Sequence, residues 1–131
     1  MKAHLLALPL VVVTVGCTTL TDPAVANIPA AEAEGAEIGF GQTVALGDLL
    51  LTPLRITEDS RCPINARCVW AGRITVETQI DGDGWQETVG ISNDDFTRLH
   101  GHTVKIIGAQ PGNIAGGEAI ALGDYRFSYG E

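Results

Sequence analysis

Two cysteines, Cys62 and Cys68, close a short polar stretch, Glu58-Asp-Ser-Arg-Cys-Pro-Ile-Asn-Ala-Arg-Cys-Val-Trp-Ala-Gly72, and three chemistries are open to them. A disulfide is the default for such a pair in an exported chain. Closing a loop of seven residues would contribute on the order of 2 kcal/mol by chain entropy, and Pro63 narrows the unfolded ensemble further. Redox catalysis generally uses Cys-x-x-Cys, whereas five residues separate the cysteines here. Zinc would need a second nearby pair of ligands, and the only other cysteine is Cys17.

Around the pair stand Arg61, Arg67 and Arg73, with Glu58 and Asp59 beside them. Guanidinium groups on a rigid loop suit a carboxylate, a phosphate or a sugar acid, which they bind bidentately. Asp59 and Arg61 could equally pair with each other or cap loop backbone groups, which would make them braces. A loop of this kind, Arg61 to Arg67, could also enter the cleft of a partner in the manner of an inhibitor. His100-Gly-His102 is a third candidate. On a strand the period of two would put both imidazoles on one side, a start for a zinc or copper site that Asp94 or Asp95 could complete. Asp81-Gly-Asp-Gly84 looks like a fragment of a calcium loop but lacks its remaining ligands, and a hairpin turn accounts for it. Gly-x-Ser-x-Gly, His-Glu-x-x-His and a phosphate loop are all missing from the sequence. Ser60, Ser92 and Ser128 have no partner histidine close in sequence, so the expectation is a protein that is not an enzyme and holds no cofactor.

The elements that must carry these residues read as β. Val69 to Ile80 alternates, with Trp70, Ile74, Val76 and Ile80 expected on the core side and Arg73, Thr75, Glu77 and Gln79 on the other. Asp81-Gly-Asp-Gly84 predicts a tight hairpin, and Trp85 to Ile91 is the return strand, Trp85, Val89 and Ile91 facing in. Gly39 to Leu46 and Leu49 to Thr57 form an earlier pair around Gly47-Asp48. Thr103 to Ala109 and Ile120 to Tyr129 are later strands, with Tyr125, Phe127 and Tyr129 sharing a face, and Pro111 to Gly117 is loop. Asn93 to Leu99 reads as the one short helix, capped by Asn93 and stopped by Gly101. About six short strands predict an all-β domain, a compact antiparallel β-sandwich or partly open barrel with at most one helical turn.

At the N-terminus, Lys2 precedes an apolar run from Leu5 to Val15, too short to span a bilayer core, which needs roughly 20 residues. Val13-Thr-Val-Gly-Cys17 resembles the cleavage box of bacterial lipoproteins, with Thr14 where leucine is more usual. That resemblance implies a signal peptide over 1–16, removed on export, and acylation of Cys17, an anchor from which release would be negligible. Thr18 stands where an aspartate would retain such a protein in the inner membrane, so an outer-membrane position facing the periplasm is expected. Residues 17–37 are rich in Ala, Thr, Pro and Glu without an aromatic and read as a flexible tether, on the order of 25 Å for about 20 residues. The single β domain spans 38–131. Loss of Lys2 with the leader leaves seven Lys and Arg against sixteen Asp and Glu, a net charge of −9. Nucleic acid is therefore not an expected partner, since binding it rests on neutralising phosphates with Lys and Arg.

Asp59-Ser-Arg-Cys-Pro63 and Cys68-Val-Trp-Ala-Gly72, with Gly41-Gln-Thr-Val44 and Asp124-Tyr-Arg-Phe127, resemble a family of small, uncharacterised bacterial exported proteins and lipoproteins. The resemblance covers nearly all of the mature domain. It implies an exported location and a fold type, and it carries no reaction or ligand. The reading that results is an envelope lipoprotein acting as a binding or structural module, anchored to the membrane, with an envelope protein or a small anionic ligand as partner. A periplasmic zinc- or copper-binding protein using His100 and His102, and an inhibitor-like protein using the Arg61–Arg67 loop, are the alternatives.

Overall fold

The structure, a computed structural model, describes residues 30–131. The expected leader and Cys17, the expected acylation site, lie outside the described residues. Within them, seven strands form two antiparallel sheets: β1 (Val44–Leu46), β2 (Leu49–Asp59), β3 (Ile74–Gly82) and β4 (Trp85–Ser92) in one, and β5 (Thr97–Leu99), β6 (His102–Gln110) and β7 (Arg126–Gly130) in the other, each in sequence order. The described strands do not close a barrel. The expected all-β architecture is thus present, as two sheets with a 3₁₀ turn at Leu122–Asp124.

Tight turns join the strands where the sequence places glycine. Leu46 pairs with Leu49 across Gly47-Asp48, and Gly82 pairs with Trp85 across Asp83-Gly84. Gly84 sits at φ +77, the left-handed conformation that such a two-residue turn requires. The expected helix over Asn93–Leu99 is not formed. Asn93 does not cap a helix; its Oδ1 accepts the backbone N–H of Ile74 at 2.9 Å, finishing the edge of β3. Thr97–Leu99 pairs with β6 instead, through a turn in which His100 (φ 47) and Gly101 (φ 84) are both left-handed. Seven residues make a marginal helix in water, and the hairpin supplies ladder hydrogen bonds that a helix would forgo.

The core lies between the sheets. Ile74, Val76 and Ile80 of β3 and Ile91 of β4 meet Val104, Ile106, Phe127 and Tyr129 from the other sheet, with Val44, Leu46, Leu49 and Leu51 filling one end. Among the described residues Thr78 is the one buried polar side chain. Its hydroxyl meets the Tyr129 hydroxyl at 2.9 Å while donating to the Val76 carbonyl at 3.2 Å. Burial pushes the Tyr129 phenol above its ordinary range. Residues just before β1 connect the sheets: Ile38 exchanges two backbone hydrogen bonds with Phe127 of β7, at 2.8 and 2.9 Å. Glu32, within the segment expected as tether, bonds to Thr43 and to Ala45 of β1, so backbone pairing already begins ahead of Ile38.

Strand β2 is irregular at two points. Its register against β3 slips between Pro53 and Arg55 and again between Ile56 and Glu58. A regular strand with Leu49, Leu51 and Pro53 inward would also turn Arg55 and Thr57 inward, because side chains alternate with period two. The first slip puts Arg55 opposite the outward Glu77 and Ile56 opposite the buried Val76; the second puts Asp59 opposite the buried Ile74. An acidic side chain thus ends on the inner face of the sheet at the mouth of the cysteine loop.

Candidate functional site

Beyond β2 and β3 the hairpin continues without strand geometry. Ser60 N donates to Arg73 O and Cys62 N to Ala71 O, both at 2.8 Å. Gly72 at φ +69 turns the chain here, and a Cβ on it would stand 1.8 Å from the Ser60 carbonyl oxygen, so only glycine fits. Cys62 and Cys68 are joined, as expected, by a disulfide with Cα atoms 5.8 Å apart. The loop leans on the segment after β6. Ile64 N donates to Asn113 O at 2.9 Å, and Asn65 makes two bonds to Ala115, donating from Nδ2 at 3.2 Å and accepting at Oδ1 at 2.7 Å.

At the root of the loop Asp59 and Arg61 form a nearly buried pair, each side chain 12% exposed. Arg61 donates Nε to Oδ1 at 2.7 Å and Nη2 to Oδ2 at 2.8 Å, and its Nη1 reaches the Ala109 carbonyl of β6 at 2.9 Å. Asp59 also accepts from the Tyr125 hydroxyl at 3.0 Å and from Asn113 Nδ2 at 3.2 Å. Burial alone would raise the Asp59 carboxyl, but these donors, Arg61 foremost, hold it below the ordinary aspartate value. The same contacts act on the partners. The Asp59 hydrogen bonds raise the Arg61 guanidinium, while burial, with Asp59 second, raises the Tyr125 phenol. The network ties the loop root on one sheet to β6 and to Tyr125 at the edge of β7.

The three arginines of the sequence motif therefore part company. Arg61 is consumed in the brace. Arg73 bonds Glu58 Oε2 at 2.8 Å and lies 3.6 Å from Asp94, all on the surface, and its hydrogen bond is the main cause that lowers the Glu58 carboxyl. Arg67 is exposed and makes no ion pair among the described residues.

Trp70, expected on the core side of a strand, is 81% exposed, and Val69 beside it is 92% exposed. The alternation that would have turned Trp70 inward is broken by left-handed Gly72, and β3 begins only at Ile74. Ile64 and Ile114 are exposed as well, on the two segments that the Ile64–Asn113 bond joins. The motif builds a stapled loop that carries exposed apolar side chains on the arm between Cys68 and Ala71.

His100 and His102 do not share one strand face, since His100 sits in the left-handed turn and His102 begins β6. Both lie against Trp85: the His100 ring stacks on the indole with centroids 4.1 Å apart, and the His102 ring is tilted at 6.4 Å. Nε2 of His100 is 2.6 Å from Glu87 Oε1. Asp94 is engaged with Ser92 and Arg73 rather than with the imidazoles. Among the described residues, no three His, Cys, Asp or Glu side chains gather to hold a metal ion.

Tyr125 and Asn113, which complete the brace, are not among the sequence candidates. Tyr125 shares the inward face of Phe127 and Tyr129, a visible signal, but its hydroxyl partner lies 66 residues away. Compared with protein-family models, with curated proteins and with solved structures, the chain matches none.

Proposed function

We propose that the protein is a non-enzymatic, lipid-anchored module of the cell envelope that docks on another envelope protein through the exposed Val69-Trp70 arm of its disulfide-stapled loop. One observation carries the reading: Trp70 and Val69 are held almost fully in water between the disulfide and the Cys62–Ala71 bond, on a loop fixed at several points. Exposing an indole and a branched aliphatic group forfeits about 2–3 kcal/mol each of burial, and tryptophan is among the residues that most often anchor interfaces. Fixing the loop by a disulfide, by the Asp59–Arg61 brace and by Asn65 lowers the ordering entropy that binding would otherwise cost. Arg67, two residues before Val69 on a chain of net charge −9 after export, fits a partner pocket that is apolar at its centre and acidic at its rim.

A photo-crosslinking residue placed at Trp70 in living cells tests this, with the same residue at Asp83 in the β3–β4 turn as the control. The expected result is one discrete protein adduct from position 70 and none from position 83. Adducts from neither position, or equally from both, would refute docking through the loop.

A further inference from the structure

A cleft of about 560 Å³ opens beside the 3₁₀ turn and shares no residue with the disulfide-stapled loop. Its volume lies in the range of small-molecule sites, roughly 300–1,000 Å³. Phe40, Leu54, Ile56 and Leu122 give it an apolar lining. Leu54 is the extra residue of the first β2 bulge, unpaired with β3 and exposed, and Leu122 is exposed opposite it in the 3₁₀ turn. Phe40 is fixed from behind by an edge contact with Phe127, centroids 5.2 Å apart.

Two polar side chains on this lining have part of their hydrogen-bonding capacity committed and part unused. Nη1 of Arg126 donates to the carbonyls of Gly123 and Tyr125, each at 2.7 Å. Nε and Nη2, the edge of the guanidinium that grips a carboxylate with two parallel bonds, have no partner among the described residues. Gln42 accepts from Gly39 N through Oε1 at 2.7 Å, so its amide nitrogen is left as donor, likewise unpartnered among the described residues. The two groups lie over the same backbone turn: a Cβ on Gly39 would come within 3.1 Å of Arg126 Nη1 and 3.3 Å of Gln42 Oε1. The other arginine on the lining, Arg55, is paired with Glu77.

We propose that this cleft binds a small amphiphilic monocarboxylate. The carboxylate sits on the Nε–Nη2 edge of Arg126 with Gln42 as an additional donor, and the apolar tail lies along Leu54, Ile56, Phe40 and Leu122. A free cationic edge against an apolar wall, on a chain with twice as many acidic as basic residues, selects an anion with an apolar body over an inorganic one. The site is independent of docking through the loop.

The test is a titration of the full-length exported protein, in nanodiscs where it is lipidated and with empty discs as reference, using octanoate as probe and methyl NMR as readout. Saturable shifts are expected at the methyl groups of Leu54, Ile56 and Leu122. Octanamide, neutral and of the same length, should bind at least tenfold more weakly, and Arg126→Gln should weaken octanoate to the same degree. Leu122→Glu, at an exposed position, should abolish binding by placing a carboxylate at the mouth. Arg98→Gln, on β5, should leave it unchanged. The absence of saturable shifts at these methyls would overturn the proposal. So would octanamide binding as tightly as octanoate, or either Arg126→Gln or Leu122→Glu binding as the unaltered protein does.

Discussion

Arg61→Ala separates a brace from a recognition residue. It removes both side-chain bonds to Asp59 and the bond to the Ala109 carbonyl, and it leaves Asp59 with Tyr125, Asn113 and, at 3.5 Å, the backbone N–H of residue 61 as donors. Breaking a fully buried ion pair by deleting one partner costs about 3–5 kcal/mol. Here the pair keeps 12% exposure and the carboxylate keeps two side-chain donors and a long backbone one, so roughly 2–3 kcal/mol is expected. For a domain of about 100 residues that corresponds to a fall in Tm of roughly 10–20 °C. The double variant Asp59→Ala with Arg61→Ala should cost less than the two singles together, because it leaves no uncompensated charge. The pH dependence has a definite sign. The folded Asp59 carboxyl lies below its unfolded value of about 3.9, so its contribution is present above that value and is lost as pH falls through the depressed one. Arg61→Ala should shrink this acid-side loss. Urea unfolding of the oxidised protein, followed by circular dichroism between pH 2 and 7, reads all three effects. An unfolding free energy for Arg61→Ala within about 0.5 kcal/mol of the unaltered protein, together with loss of the crosslink at position 70, would refute the brace and return Arg61 to recognition.

Cys62→Ala with Cys68→Ala should fold but lose about 2 kcal/mol, the closure entropy of a seven-residue loop, in denaturant titrations. Thr78→Val should cost more than Tyr129→Phe, about 1–3 against about 1 kcal/mol, because it leaves a buried phenol without its partner, whereas Thr78 without the phenol still donates to Val76. Cys17→Ser should yield an unprocessed or soluble protein in cell fractionation; normal processing with retained membrane association would count against acylation.

Much of the framework is legible in alternation and glycine. Ile74, Val76 and Ile80 face inward as the period of two requires, Phe127 and Tyr129 do the same, and both Gly-Asp and Asp-Gly turns stand where expected. The misreadings share a cause, which is pairing with segments far away in sequence. Asn93 resembles a helix cap by local rules, yet its oxygen is taken by Ile74 of the neighbouring strand. Trp70 has the parity of a core residue, but left-handed Gly72 resets the alternation, and what demands glycine is the Ser60 carbonyl across the hairpin. By residue type alone, Asp59 and Arg61 suit a ligand as well as they suit each other. The choice between those roles depends on Tyr125 and Asn113, whose approach no local pattern announces.

The two bulges of β2 connect these local facts to both candidate sites. Pro53 has no N–H to give its neighbour strand, and the register slips immediately after it. That slip lifts Leu54 out of the ladder to become a wall of the Arg126 cleft, and it returns Ile56 to the inner face. The second slip reverses the parity again, so that Asp59 faces inward where Arg61 and Tyr125 meet it. With either slip alone, Asp59 would face solvent and the loop root would lose its anchor to the other sheet. Both slips together keep the hydrophobic face of the strand continuous while placing one apolar residue outside it and one carboxylate within it. Cleft and brace are thus set by the register of a single strand, and a change that slides β2 against β3 would disturb both sites together.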